Sequence, residues 1–308
     1  MARRPELDRL LWAADRRVRL GWRLGLWTLL TIAVAGLMGL LLPGGVLAGS
    51  LALLVGSVVA GALTLALDGR PPSALGFHLG RDAVSESVRG LALGTVVALA
   101  VVALIAALGG LRWAGEAGTV AAWLLGGGGA LLFLALPAAA EEALLRGYPL
   151  QALAEAWGPV WSLALTAVVF GALHRANPGV TVVGTLNVVA AGLFLGVVYL
   201  RTASLWWATG AHLGWNWAHG YLADVPVSGL ELLDAPFYEG VARGPAWLGG
   251  GSFGPEGSLV ATVVVLAASA LCWRAAWLTP SPAARAVRPL ALAFAAPEPP
   301  SGAKGAAS

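Results

Sequence analysis

Long runs of apolar residues organise the chain, and their spacing sets its architecture. Runs of this kind lie at about 24–42, 46–67, 89–109, 119–140, 160–174, 180–200, 203–219 and 258–279. A helical bilayer crossing takes about 20 apolar residues, so eight transmembrane helices are expected, forming an all-α, polytopic membrane helical bundle with an intramembrane polar cavity. The first run is too long for the apolar region of a signal peptide and ends in LLPGG without a small-residue cleavage site, so it is expected to be retained.

Three stretches depart from this pattern: 141–158, 220–257 and the Pro-, Ala- and Ser-rich tail from Thr279 onward. Residues 141–158, EEALLRGYPLQALAEAWG, have a helical period but carry three glutamates and an arginine, and are expected to leave the bilayer as a cytoplasmic amphipathic turn. Residues 220–257 are rich in Pro, Gly and acids and are expected to form an irregular outer loop. The expected organisation is a cytoplasmic Arg-rich segment at 1–23, an eight-span membrane domain at 24–279 with its core at about 119–220, and a disordered cytoplasmic tail at 280–308.

Composition narrows the picture further. With 58% hydrophobic and 11% charged residues in 308, the spans leave no room for a separate soluble domain. Of the 19 basic residues, only Arg112, Arg175 and Arg243 fall outside if the N-terminus is inside. The positive-inside tendency therefore puts both termini in the cytoplasm of a multi-pass cell-membrane protein. Charge confined to short loops and termini gives no case for a nucleic-acid partner and makes membrane lipid the expected one. The single cysteine, Cys272, excludes an intrachain disulfide and a cysteine metal site, and it reads as a packing residue.

Strongly polar side chains inside the apolar runs are few and are functional candidates, because each costs free energy there unless paired or hydrated. On a helix Glu142 and Arg146 are four apart and face each other, while Glu141 points about 100° away, free to act as a general base toward water. Phe170 and His174 share a face just before Asn177-Pro178 ends their helix. His212 and Asn216 are also four apart, which suits two donors aimed at one developing oxyanion or, equally, glue between helices. His219, near the outer interface, reads as structural.

Taken together, these residues resemble the CPBP intramembrane glutamic endopeptidases, the family that includes the CAAX prenyl endopeptidases. Its three motifs, EExxxR, FxxxH and HxxxN, stand here in the family's order as Glu141-Glu142 with Arg146, Phe170 with His174, and His212 with Asn216. The resemblance covers about residues 138–220. It implies an endopeptidase acting on a hydrophobic or lipid-modified peptide or protein, in which Glu141 and His174 activate water, His212 and Asn216 bind the oxyanion, and Glu142 and Arg146 support the site. No cofactor is implied. A zinc site built from Glu and two His was the competing chemistry, but HExxH is absent and Asn216 is a poor zinc ligand, so no metal is expected. A non-catalytic scaffold or bacteriocin-immunity-type protein, or a proton-coupled carrier, would use the same residues; the missing internal repeat speaks against the carrier.

One distance does not close on a straight helix. From Thr119, Glu141 lies about 33 Å along the axis, at the cytoplasmic surface, whereas His174 lies about 24 Å in from that surface. A break at Gly126–Gly129, with a kink at Pro137, is therefore expected, starting the true span near Ala130.

Overall fold

A computed structural model describes residues 10–13, 15 and 17–295. Each apolar run forms a helix. The long helices are α1 (Leu20–Leu41), α2 (Val46–Leu67), α3 (Arg81–Ala107), α4 (Val120–Glu142), α5 (Tyr148–Trp157), α6 (Pro159–Leu173), α7 (Val182–Thr202), α8 (Leu205–Trp217) and α9 (Leu259–Arg274). Five units, namely α1, α2, α3, α4 with α5, and α7, are long and apolar enough to cross a membrane, and α6 and α9 are shorter apolar helices. Exposed leucines on α1, such as Leu29, Leu40 and Leu41, are in keeping with a lipid-facing helix.

The connections sort into two faces. On the one we call proximal, where α1 begins, Arg23 donates to Asp68 at 2.7 Å, Arg70 to the carbonyl of Arg288, and Arg201 to the carbonyl of Ala275. On the distal face a two-stranded antiparallel sheet joins β1 (Leu111–Gly115) to β2 (Tyr238–Ala242), with Leu111 opposite Ala242. There too Asn177 donates to the carbonyl of Ser228. Residues 220–257 thus form an ordered distal cap.

The tightest helix interface is between α3 and α8, which run parallel. Gly90 and Gly94 on α3 meet Gly210 and Gly214 on α8, a small-xxx-small seam on both sides that lets the backbones touch. A Cβ on Gly94 would fall 1.8 Å from the carbonyl oxygen of Ala211, and one on Gly214 would fall 2.2 Å from that of Leu91. This seam fixes the rotation of α8 and hence the direction of His212 and Asn216.

Several expectations need correction. Helix α4 runs unbroken through Gly126–Gly129. The glycines there make room for Tyr221, whose hydroxyl would lie 2.4 Å from a Cβ on Gly126, and Trp217 donates to the carbonyl of Gly127. The break comes later: a π-helical turn at Ala143–Gly147 leads into α5, which starts after Gly147 with ψ −117°. Residues 141–158 are not a solvated amphipathic turn, because Leu145, Tyr148, Leu150, Gln151 and Leu153 are buried within the protein. Arg23 lies in the first turn of α1 and is buried, so that helix begins ahead of the expected boundary at residue 24. The tail continues in short helical turns to Phe294, tied down where Leu290 N–H donates to Gln151. Arg3, Arg4, Arg9, Arg16 and Lys304 lie outside the described residues.

Candidate active site

Glu141 and His174 meet because α5 and α6 form a hairpin about Gly158, whose φ of +80° suits a residue without Cβ. Glu141 stands seventeen residues before Gly158 and His174 sixteen after it. At 1.5 Å per residue both arms return to about the same depth, roughly 24 Å from the turn. The discrepancy in the sequence reading came from ending the fourth span at residue 140, when its helix continues to Trp157.

Three side chains then converge. Glu141 Oε2 lies 3.8 Å from His174 Nε2 and 3.8 Å from His212 Nε2. Both gaps exceed a hydrogen bond, and Oε2 has no partner of its own. The Glu141 side chain is 33% exposed, in contrast to the fully buried Glu142, so only the first of the two carboxylates is open to a ligand.

The tautomers follow from the partners. His174 Nδ1 is 2.8 Å from the carbonyl of Phe170; a carbonyl only accepts, so Nδ1 carries the proton, and in the neutral ring Nε2 presents its lone pair toward Glu141. His212 Nδ1 donates to Glu142 Oε1 at 2.9 Å, which leaves its Nε2 pointing the same way.

Glu142 is the hub beneath these groups. Its Oε1 also accepts from Arg146 Nη1 at 2.8 Å, and Arg146 Nη2 donates to the carbonyl of Gly192 on α7. The guanidinium sits 4.6 Å from the centre of the Phe170 ring, a cation–π contact in a site with little water. Gly192 also lets α7 lie close against α6, since a Cβ there would lie 3.0 Å from Ala167 Cα. The link from Glu142 to His212 was invisible in the sequence, which showed only that α8 carries no acid of its own.

Asn216 faces the same cavity, of about 170 Å³, which Glu141, His174 and His212 line. The cap contributes to it as well, and here sequence reasoning missed a second carboxylate. Glu256 is buried, accepts from Trp215 Nε1 at 2.6 Å and from the backbone N–H and hydroxyl of Ser228, and lines the cavity. The only available signal was an acid two residues before an apolar run. Ser228 is held at a left-handed φ of +48°, costly for a residue with a Cβ. His219 is buried edge-on against Trp215 and outside this set. Among the described residues, no three His, Cys, Asp or Glu side chains are arranged to hold a metal ion.

Searches of curated proteins and of solved structures find no significant match to the chain. A family model does match: residues 119–218 fit the one described as type II CAAX prenyl endopeptidase Rce1-like. That stretch runs from the N-terminus of α4 into the turn after α8 and contains all the converging residues. Over that stretch, about a third of the chain, this multi-pass membrane protein is similar to the CPBP family of CAAX prenyl endopeptidase-like membrane proteases.

Proposed function

We propose that the chain is an intramembrane endopeptidase that hydrolyses a peptide bond of a hydrophobic or lipid-modified membrane substrate with water activated by Glu141. The carrying observation is the position of Glu141 Oε2, unpartnered and equidistant at 3.8 Å from two imidazole Nε2 atoms. A water in that gap donates one proton to Glu141 and is oriented by the lone pair of His174 Nε2. Its oxygen attacks the substrate carbonyl carbon, the C–O bond forms, and the carbonyl oxygen takes the negative charge. His212 and Asn216 bind that oxyanion. Because His212 Nδ1–H is committed to Glu142 at 2.9 Å, Nε2 donates to the oxyanion only when the ring carries both protons. The C–N bond then breaks, and the proton held by Glu141 passes to the leaving amine. Glu142 and Arg146 hold the geometry without touching substrate.

The chain sits in this reading in the cell membrane with both termini in the cytoplasm, as the distribution of arginines supports. The test is cleavage of a membrane peptide by the purified, reconstituted protein. Glu141→Gln is expected to abolish it, by about 10³-fold or more, without lowering thermal stability. Cleavage that survives the substitution refutes the mechanism, and full biological function with no cleavage by either form would instead indicate a scaffold.

A further inference from the structure

The direction from which substrate reaches the site can be read from three independent features. The first is the composition of the cavity wall. Every lining residue that comes from a connection belongs to the distal face, namely His174, Asn177, Val227, Ser228, Leu230, Leu232 and Glu256, and Val46 opens α2 on the same side. Val46 and Leu230 at the rim are exposed, at 48% and 36%. A second, polar cavity of about 430 Å³ in the distal cap shares Leu134, Val227 and Leu232 with the first, which gives water an approach from that side.

The second feature is a seal on the proximal side. Beyond the buried Glu142–Arg146 pair, Tyr148 donates to Asp68, and Gln151 donates to the carbonyls of Ala74 and Leu75 while accepting from Leu290 N–H. Tyr199 donates to the carbonyl of Leu75. Tyr148, Gln151 and Tyr199 have no exposed surface. A hydrogen-bonded layer of this kind offers no gap for a peptide.

The third feature is charge. Among the described residues, Arg17, Arg19, Arg70, Arg81, Arg201, Arg274, Arg285 and Arg288 lie at helix ends or in connections on the proximal side, and Arg17, Arg23, Arg70 and Arg201 make their contacts there. Arg112, Arg175 and Arg243 lie in distal connections. The proximal face is then the cytoplasmic one, and the open cavity faces away from the cytoplasm.

We infer that the substrate is a hydrophobic or lipid-anchored polypeptide whose scissile bond is presented from the extracytoplasmic half of the bilayer, and not the modified C-terminus of a cytosolic protein. This rests on the peptidase reading for the word substrate, and on geometry and charge alone for the side. The side is tested without catalysis, by placing single cysteines in full-length Cys272→Ser protein and adding a membrane-impermeant thiol reagent. Asn216→Cys in the cavity and Leu230→Cys at its rim are expected to react at least tenfold faster in intact cells than in inside-out vesicles, and Arg81→Cys in the reverse order. Labelling of position 216 or 230 only from the cytoplasmic side would overturn the inference; the rim variant decides the matter if the cavity variant does not fold. A second arm supplies a hydrophobic test peptide to sealed right-side-out vesicles. Cleavage there that Glu141→Gln abolishes supports the inference, whereas cleavage seen only in inside-out vesicles overturns it. Distal labelling with no Glu141-dependent cleavage in either vesicle or in detergent would remove the peptidase reading and leave the side standing.

Discussion

The glycine seam between α3 and α8 gives the sharpest test of how the fold serves the site. Gly94→Ala adds one methyl group 1.8 Å from the carbonyl oxygen of Ala211, 2.7 Å from its carbon and 2.9 Å from its Cα. A comfortable carbon–oxygen approach is about 3.3 Å, so the helices must separate locally by about 1.5 Å. Every atom met is backbone, and no side chain can swing aside. Overpacking of this kind costs about 1–3 kcal/mol, and a rigid partner puts it at the upper end. Ala211 precedes His212, so the shift is passed directly to the imidazole whose Nε2 faces Glu141; a displacement of about 1 Å in a reacting group costs about 10²-fold in rate. The assay pairs thermal unfolding in detergent with Glu141-dependent cleavage. Gly128→Ala is the control, because nothing lies within 4 Å of its added Cβ, and alanine there should be neutral or stabilising by up to about 1 kcal/mol. If Gly94→Ala behaves like Gly128→Ala in both measurements, the seam does not set the position of α8.

Arg146→Met leaves the fully buried Glu142 with His212 as its only partner and should cost about 3–5 kcal/mol in unfolding free energy; adding Glu142→Gln should recover part of it, and no recovery would argue that the two residues act separately. Asp224, in the distal cap, has its pKa pushed up to about 6, chiefly by burial and then by Asp234, Glu116 and Glu239, against a lowering hydrogen bond from Ala235 N–H. The folded state therefore holds this proton more tightly than the unfolded chain. Its contribution to stability is complete below the ordinary value of 3.8 and is lost as pH rises through about 6. Asp224→Asn should raise Tm near pH 7 and leave it unchanged at the acid end, and an equal shift at both pH values would refute this origin. A zinc chelator should leave cleavage intact; loss restored by added zinc would replace Glu141-activated water with metal-bound water. Glu256→Gln keeps one accepting oxygen and turns an amide N–H₂ toward either Trp215 or Ser228, which should lower Tm, with Trp215→Phe in the same chain restoring some of the loss.

The sequence carried the helices and the site chemistry further than it carried their connections. Apolar runs mark membrane helices plainly, and the four-residue spacings of Glu142–Arg146 and His212–Asn216 state which side chains share a face. Pairing between helices leaves no such trace. Glu142 bonding to His212, and Arg146 reaching the carbonyl of Gly192, join residues 70 and 46 apart. Residues 141–158 were misread for a physical reason: charged groups compensated inside a protein have the same pattern as charged groups in water. The run Gly126–Gly129 was misread because glycine marks close approach as readily as a break, and the approaching ring, Tyr221, is almost a hundred residues away. In the loop 220–257, Glu256 looked like one more surface acid until its donors were in view.

The turn at Gly158 acts as a measuring device. With arms of seventeen and sixteen residues, inserting or deleting a single position in either arm would slide one reactive group by about 1.5 Å and swing it about 100° around its axis. Even matched edits on opposite sides of the bend would restore the common depth but leave both groups turned away, so this hairpin has little freedom to drift in length.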